Sequence, residues 1–297
     1  MSGLPWVAGV SAAEQPVEER QRLAAELEPA VSASLDLVLL DTCHRVELYG
    51  FGELPPAAQG MPLQAGADAV RHLLRVAAGL ESAVVGEDEV LHQVRDAFRG
   101  ALADRRLDFR THRLFEVAVA AGRRARSGRT AAGPGLAGRA VQWLASRGPL
   151  AGRPVVVAGA GRMGSALGHE ARKLGALLTI ASRDAGRARR LAAVYDGQGV
   201  GLAEGARLAQ GSAAVAIALS GPWRELDSLA EPLPPIADIS APSAIPLALR
   251  GRLNGNFLGV DDLFSGPGDP PAGYVDAAER IVAAKLEEYL SWLEARR

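Results

Sequence analysis

A chain of 297 residues with 48% hydrophobic and 23% charged residues is long for one core and too apolar for broad disorder, so two domains are expected. Its net charge of −1, from 33 basic and 34 acidic residues, gives no general attraction to nucleic acid, and any RNA contact needs a local basic patch. One cysteine excludes an intrachain disulfide and argues against a cysteine-based zinc site; with no signal-peptide pattern and no apolar run of membrane-spanning length, a cytoplasmic protein without a metal is expected.

In chain order, Trp6 to Val10 reads as a short strand and Glu14 to Leu27 carries apolar residues at helical spacing. The apolar run Leu35 to Leu40 reads as a buried strand, and Val46 to Phe51 as a third. Pro55, Pro56, Gly60 and Pro62 mark Gly52 to Gly66 as a loop. Ala67 to Leu80 is a helix that Gly79 can end; Glu87 to Leu102 and Arg113 to Arg126 are two more amphipathic helices. Arg123, Arg124, Arg126 and Arg129 form a basic cluster, either a solvated helix face or a contact for a phosphate backbone. Gly133-Pro134-Gly135 breaks the pattern, Leu136 to Ser146 resumes a helix, and Arg147-Gly148-Pro149 breaks it again, which places a domain boundary here. Pro154 to Ala158, Arg162 to Leu174 and Ala176 to Ser182 then make a parallel strand-helix-strand unit. Further strands are expected at Ala213 to Leu219, Pro235 to Ile239 and Phe257 to Val260, and one amphipathic helix from Ala272 to Arg297.

Cys43 directly follows the second strand, in Asp41-Thr42-Cys43-His44-Arg45-Val46-Glu47-Leu48-Tyr49. A thiol between a strand and a His-Arg pair has two neighbours that favour the thiolate, the strongest side-chain nucleophile near neutral pH. The competing reading is a small core hydrophobe, which free cysteines often are.

Gly159-Ala160-Gly161-Arg162-Met163-Gly164 matches G-x-G-x-x-G where it follows a strand and opens a helix, the context of a dinucleotide loop. Gly159 permits the turn, Gly161 lets the backbone approach a pyrophosphate, and Gly164 lets helix and strand pack closely; the helix N-terminus then meets the pyrophosphate. At the end of the second strand, Ser182 and Arg183 suit a 2′-phosphate, so NADPH is the expected cofactor. Asp184 is either a ribose ligand one place late or the N-cap of the next helix, and the N-cap reading is preferred. A thiol and a nicotinamide together suggest acyl transfer to sulfur followed by hydride transfer to the thioester, with His72 as a candidate acid or base.

These residues resemble the glutamyl-tRNA reductase family. Thr42-Cys43-His44-Arg45-Val46-Glu47-Leu48-Tyr49 is similar to the family's Thr-Cys-Asn-Arg followed by apolar-Glu-apolar-Tyr. His72-Leu73-Leu74-Arg75-Val76-Ala77-Ala78-Gly79-Leu80-Glu81-Ser82 and Gly86-Glu87-Asp88-Glu89-Val90-Leu91-His92-Gln93-Val94 resemble two further blocks, and Asp238 to Pro242 and Val260 to Leu263 match late segments. The resemblance implies an α/β protein: residues 1–146 as a glutamate-recognising catalytic domain, 147–271 as an NADP-binding Rossmann domain with a parallel sheet, and 272–297 as a C-terminal helix. It implies Cys43 as nucleophile and His72 in proton transfer. Arg45 would hold the substrate carboxylate, and Thr42, His44, Ser82, Glu87, Asp88, Glu89 and Gln93 would line the pocket. Glutamyl-tRNA is the implied substrate and the glutamate-1-semialdehyde aminomutase a candidate partner, with no membrane.

Departures from the family pattern lie at His44, where the family has Asn, at Glu89, where it has Gln, and at Ala12-Ala13-Glu14, where it has His-Lys-Thr. His44 either lowers the thiol pKa or crowds the substrate. The chain stops inside what resembles the family's connecting helix, so a monomer or weak dimer is expected. The rival readings are a catalytically weak paralogue that binds NADP and regulates a partner, and a dehydrogenase of a small free acid.

Overall fold

The computed structural model describes residues 3–34, 36–82, 84–103, 107–127, 135–264 and 273–296. Its first unit begins with β1 (Pro5–Ser11) and α1 (Val17–Ala33). The helix starts later than the periodicity predicts, because Glu14 folds back to accept the Ser11 amide at 2.8 Å and Pro16 supplies the extended residue before the first turn. β2 (Val38–Asp41) and β3 (Arg45–Phe51) follow, then β4 (Leu63–Ala65), a three-residue edge strand inside the segment expected to be all loop. The order β2-β3-β1-β4 is antiparallel throughout.

The pleat divides the side chains of this sheet between two faces. Trp6, Ala8, Val46 and Leu48 pack with Leu27 and Val31 of α1. Val7, Val38, Leu40, Tyr49 and Phe51 face the opposite way, onto α2 (Ala67–Ala78), α3 (Glu89–Ala103) and α4 (Phe109–Ser127). Gly79 ends α2 with φ 74°, a conformation that favours glycine.

The second unit holds α5 (Leu136–Arg147), β5 (Pro154–Ala158), α6 (Arg162–Lys173), β6 (Leu177–Ser182), α7 (Ala185–Ala193), β7 (Gln198–Gly201), α8 (Leu202–Ala209), β8 (Ala214–Ile217), β9 (Ile236–Asp238), α9 (Leu247–Arg252) and β10 (Phe257–Gly259). Every pairing is parallel and the order is β10-β9-β8-β5-β6-β7. Counted from β5 this is the doubly wound order 3-2-1-4-5-6, whose ligand crevice opens between the first and fourth strands. β7 and α8 escape the sequence pattern because Gly199 and Gly201 dilute the strand signal. Gly199 is required there: a Cβ would lie 2.3 Å from the Arg189 amide nitrogen. α5 packs on α6, β8 and β9, so it belongs to this unit.

The chain then returns to the first unit as α10 (Tyr274–Glu294), which packs on α2 and α4. Tyr274 donates to the Ala78 carbonyl at 2.6 Å, Tyr289 to the Arg110 carbonyl at 3.1 Å, and Glu288 pairs with Arg113 at 2.9 Å. Among the described residues no helix is long and apolar enough to cross a membrane.

Candidate active site

Cys43 sits in the tight turn between β2 and β3, and nearly every polar main-chain atom of that turn is held. The Thr42 amide donates to the Arg45 carbonyl at 2.9 Å, and Thr42 Oγ1 accepts the amides of His44 and Arg45, each at 3.1 Å. The Ala12 amide donates to the His44 carbonyl at 2.7 Å, and the Arg20 guanidinium donates to the Cys43 carbonyl.

The charge state of the thiol corrects the sequence reading. Burial pushes the Cys43 thiol up to about 12; Glu87 and Glu89 add to this, while a Gln93 hydrogen bond and the Arg20 charge oppose it. His44 gives no help, because burial, with Arg45 and Arg20 nearby, lowers its pKa to about 3 and keeps it neutral. Its Nδ1 lies 3.7 Å from Glu87, and a neutral ring makes no ion pair there. Arg45 directs its charge away from the sulfur, to Glu47.

That pairing belongs to a polar ladder on an otherwise apolar strand. Arg45, Glu47 and Tyr49 alternate along β3 and therefore share one face. Glu47 accepts from Arg45 at 3.0 Å, from Tyr49 at 2.6 Å and from His72 Nε2 of α2 at 2.9 Å. Burial raises the Glu47 pKa, but Arg45 and the His72 and Tyr49 hydrogen bonds outweigh it and leave the value at about 2. An ionised Glu47 requires His72 to donate from Nε2. Arg45 also donates to the Glu81 carbonyl, while its buried Nε has no hydrogen-bond partner among the described residues.

The loop from Gly79 to Asp88 brings Ser82 and Glu87 to the site. Burial lifts the Glu87 pKa to about 7, although the Ser82 hydroxyl beside it works against this without forming a well-aligned hydrogen bond. Arg126 clamps the loop, donating to the carbonyls of Glu87, Ala77 and Gly122 and meeting the Asp88 carboxylate at 3.3 Å. With a side chain 9% exposed it is no surface contact for phosphate; Arg123 and Arg124 are exposed, and Arg129 lies outside the described residues. Gly86 abuts Tyr274, where a Cβ would meet the ring at 2.9 Å. The first unit thus gathers Thr42, Cys43, His44, Arg45, His72, Ser82, Glu87, Glu89 and Gln93 on neighbouring elements, while the exposed Asp88 turns to Arg126. Arg20 carries no sequence signal of a site residue, and Glu47 and Tyr49 enter the motif without a role.

In the second unit the glycine loop ends β5. Gly159 has φ 119°, and a Cβ there would lie 2.2 Å from the Ala218 carbonyl oxygen, just past β8. A Cβ on Gly164 would lie 1.9 Å from the Gly159 oxygen, whereas one on Gly161 meets nothing within 4 Å. Two glycines are therefore needed for packing, and the third leaves the N-terminus of α6 open to a pyrophosphate. Ala160, Arg162 and Met163 complete the loop. Asp184 caps α7, accepting the Arg187 amide at 3.0 Å, which settles it as the N-cap. The exposed Arg183 donates to Ser220 Oγ, and Ser182 precedes it at the end of β6.

A doubly wound parallel sheet with this loop at its switch point is a dinucleotide-binding fold of the Rossmann class, here joined to a unit carrying a single, structurally anchored cysteine. Residues 8–129 match the family model for the N-terminal domain of glutamyl-tRNAGlu reductase. Glutamyl-tRNA reductase from Rubrobacter xylanophilus is 34% identical over 97% of this chain and 77% of its own length. That from Thermus thermophilus is 33% identical over 98% of this chain and 81% of its own. The solved glutamyl-tRNA reductase from Methanopyrus kandleri aligns over 100% of this chain and 80% of its own, at 29% identity and a TM-score of 0.49. The chain belongs to the glutamyl-tRNA reductase family.

Proposed function

We propose that this protein reduces glutamyl-tRNA to glutamate-1-semialdehyde, the opening step of tetrapyrrole synthesis, with NADPH as reductant. The observation that carries the proposal is the anchored Cys43 turn beside Glu87 and Gln93, in a chain related to these reductases over nearly its whole length.

In this reading the Cys43 sulfur attacks the ester carbonyl, a thioester forms, and the ester C–O bond to the tRNA ribose breaks. A thiol with a pKa of about 12 needs a proton acceptor, and Glu87, raised to near 7, can accept that proton as the S–C bond forms and pass it to the leaving oxygen. The Cys43 amide, which has no acceptor among the described residues, is the donor we assign to the tetrahedral oxyanion. The free Nε of Arg45 suits the substrate's side-chain carboxylate, and Glu87 and Glu89 suit its α-ammonium. Thr42 holds the turn, while His72 keeps Arg45 and Glu47 in register and retains Nδ1 for proton exchange. NADPH, when bound, supplies a hydride to the thioester carbonyl. With one proton this yields the aldehyde and returns Cys43 as a thiol.

Gly159, Gly161 and Gly164 would carry the pyrophosphate, and Ser182 and Arg183 the 2′-phosphate. Arg183→Ala should weaken NADPH far more than NADH, and an equal loss for both would make the residue structural. The decisive assay is NADPH oxidation with glutamyl-tRNA and trapping of the aldehyde, with Cys43→Ser in parallel. Aldehyde that disappears in the variant while NADPH still binds supports the reading; aldehyde from the variant refutes it.

A further inference from the structure

Arg20 is a buried residue bonded to the nucleophile's turn to which the proposed reaction gives no role. It lies on the buried stripe of α1, between Val17 and Ala24, and is 0% exposed. Burying a guanidinium carries a desolvation penalty of several kcal/mol, and an apolar side chain of similar size often fills such a place at no loss of stability. Two of the Arg20 donors reach main-chain oxygens: Nη1 donates to the Gln15 carbonyl at 2.5 Å, and Nη2 to the carbonyl of Cys43 itself. Gln15 belongs to the bend between β1 and α1, the same bend that sends the Ala12 amide to the His44 carbonyl. The groups acting on the sulfur are Glu87 ahead of α3, Glu89 and Gln93 on α3, and Arg20 from α1. Among them Arg20 is the cation; its effect, smaller than that of the Gln93 hydrogen bond, runs against that of the two carboxylates.

Taking Cys43 as the nucleophile, we propose that Arg20 is its positioning residue: from beneath the turn it fixes the Cys43 carbonyl and keeps a positive charge beside the sulfur as negative charge develops there.

The test compares wild type, Arg20→Met and Arg20→Lys in the full chain. Iodoacetamide reacts with the single cysteine between pH 6.5 and 9.5, and steady-state aldehyde formation gives kcat and KM for glutamyl-tRNA. NADPH binding and thermal melting serve as fold controls. In Arg20→Met, alkylation should slow at least tenfold across that range and kcat should fall at least tenfold, with KM within threefold of wild type. Arg20→Lys should recover part of both losses yet stay at least threefold below wild type in kcat. Alkylation curves that superimpose on wild type, or that rise, overturn the proposal even if melting drops, since a purely structural residue would not govern thiol reactivity. Should Arg20→Met fail to fold, Arg20→Lys decides alone: reduced kcat with KM kept supports the proposal, and wild-type kcat overturns it. If wild type forms no aldehyde but alkylation still depends on residue 20, the assigned reaction fails and the positioning role stands.

Discussion

Glu47 offers the sharpest test of how the first unit is held together. Glu47→Gln keeps the shape and removes the charge, leaving Arg45, 3% exposed, without its anion. The carboxyl pKa falls from 4.5 to about 2 in the folded protein. At 1.36 kcal/mol per unit that corresponds to about 3 kcal/mol of stability at pH 7. Removing one partner of a buried ion pair costs roughly 3–5 kcal/mol, so two independent routes agree on size. The sign follows from the lowered pKa: the contribution is complete above pH 4.5 and is lost as pH falls toward 2. The difference between wild type and variant should therefore be near 3 kcal/mol at pH 7 and shrink between pH 5 and pH 3. Urea titration gives the values, read at pH 7 by pulse labelling of Cys43, the only thiol in the chain, and by circular dichroism in acid. A difference below about 1 kcal/mol at pH 7, or one that does not narrow in acid, refutes the account of Glu47 as an ionised hub.

Three more predictions concern one residue of the first unit's site and two of the second's. His44 is neutral and its pKa falls from 6.5 to about 3, so its contribution is complete above pH 6.5 and is lost as pH drops toward 3. His44→Asn should gain about 2–3 kcal/mol on wild type between pH 7 and pH 4.5, and parallel urea curves at both pH values would contradict this. In the second unit, Gly161→Ala should leave melting unchanged but weaken NADPH at least tenfold by fluorescence titration, since its methyl enters open space. Gly164→Ala should lose binding and also about 1–3 kcal/mol of stability, because its methyl strikes the Gly159 carbonyl. Wild-type NADPH affinity in Gly161→Ala would remove the pyrophosphate from this loop.

The second unit's nucleotide loop was legible because its signals are local. Pro154 to Ala158 is a β-branched run, the glycines follow at fixed spacing, and the strand emerges with the predicted bounds. β4 was hidden because three residues between Pro62 and Gly66 present no periodicity and gain their place by pairing with β1. The thiol's charge state was misread for a related reason. Adjacency in sequence set His44 and Arg45 beside Cys43, but the fold buries one uncharged and turns the other to Glu47. Burial raises the thiol pKa most, and the carboxylates that add to it stand 44 and 46 positions later, which no local pattern reports. Arg20 did leave a trace: it interrupts the stripe of Val17, Ala24, Leu27 and Val31, a place where helical periodicity asks for an apolar side chain.

The return of the chain as α10 bears on how the protein is made. The second unit is continuous in sequence, so it can complete its sheet as soon as β10 has left the ribosome. The first unit cannot, because Tyr274, Val282, Leu286 and Tyr289 belong to the same core as α2 and α4. Residues synthesised first are thus finished after the second unit, and the unit that carries Cys43 closes its core only once α10 has been made. A nascent chain arrested before α10 should therefore bind the nucleotide yet leave Cys43 open to rapid alkylation, and adding α10 should slow that alkylation.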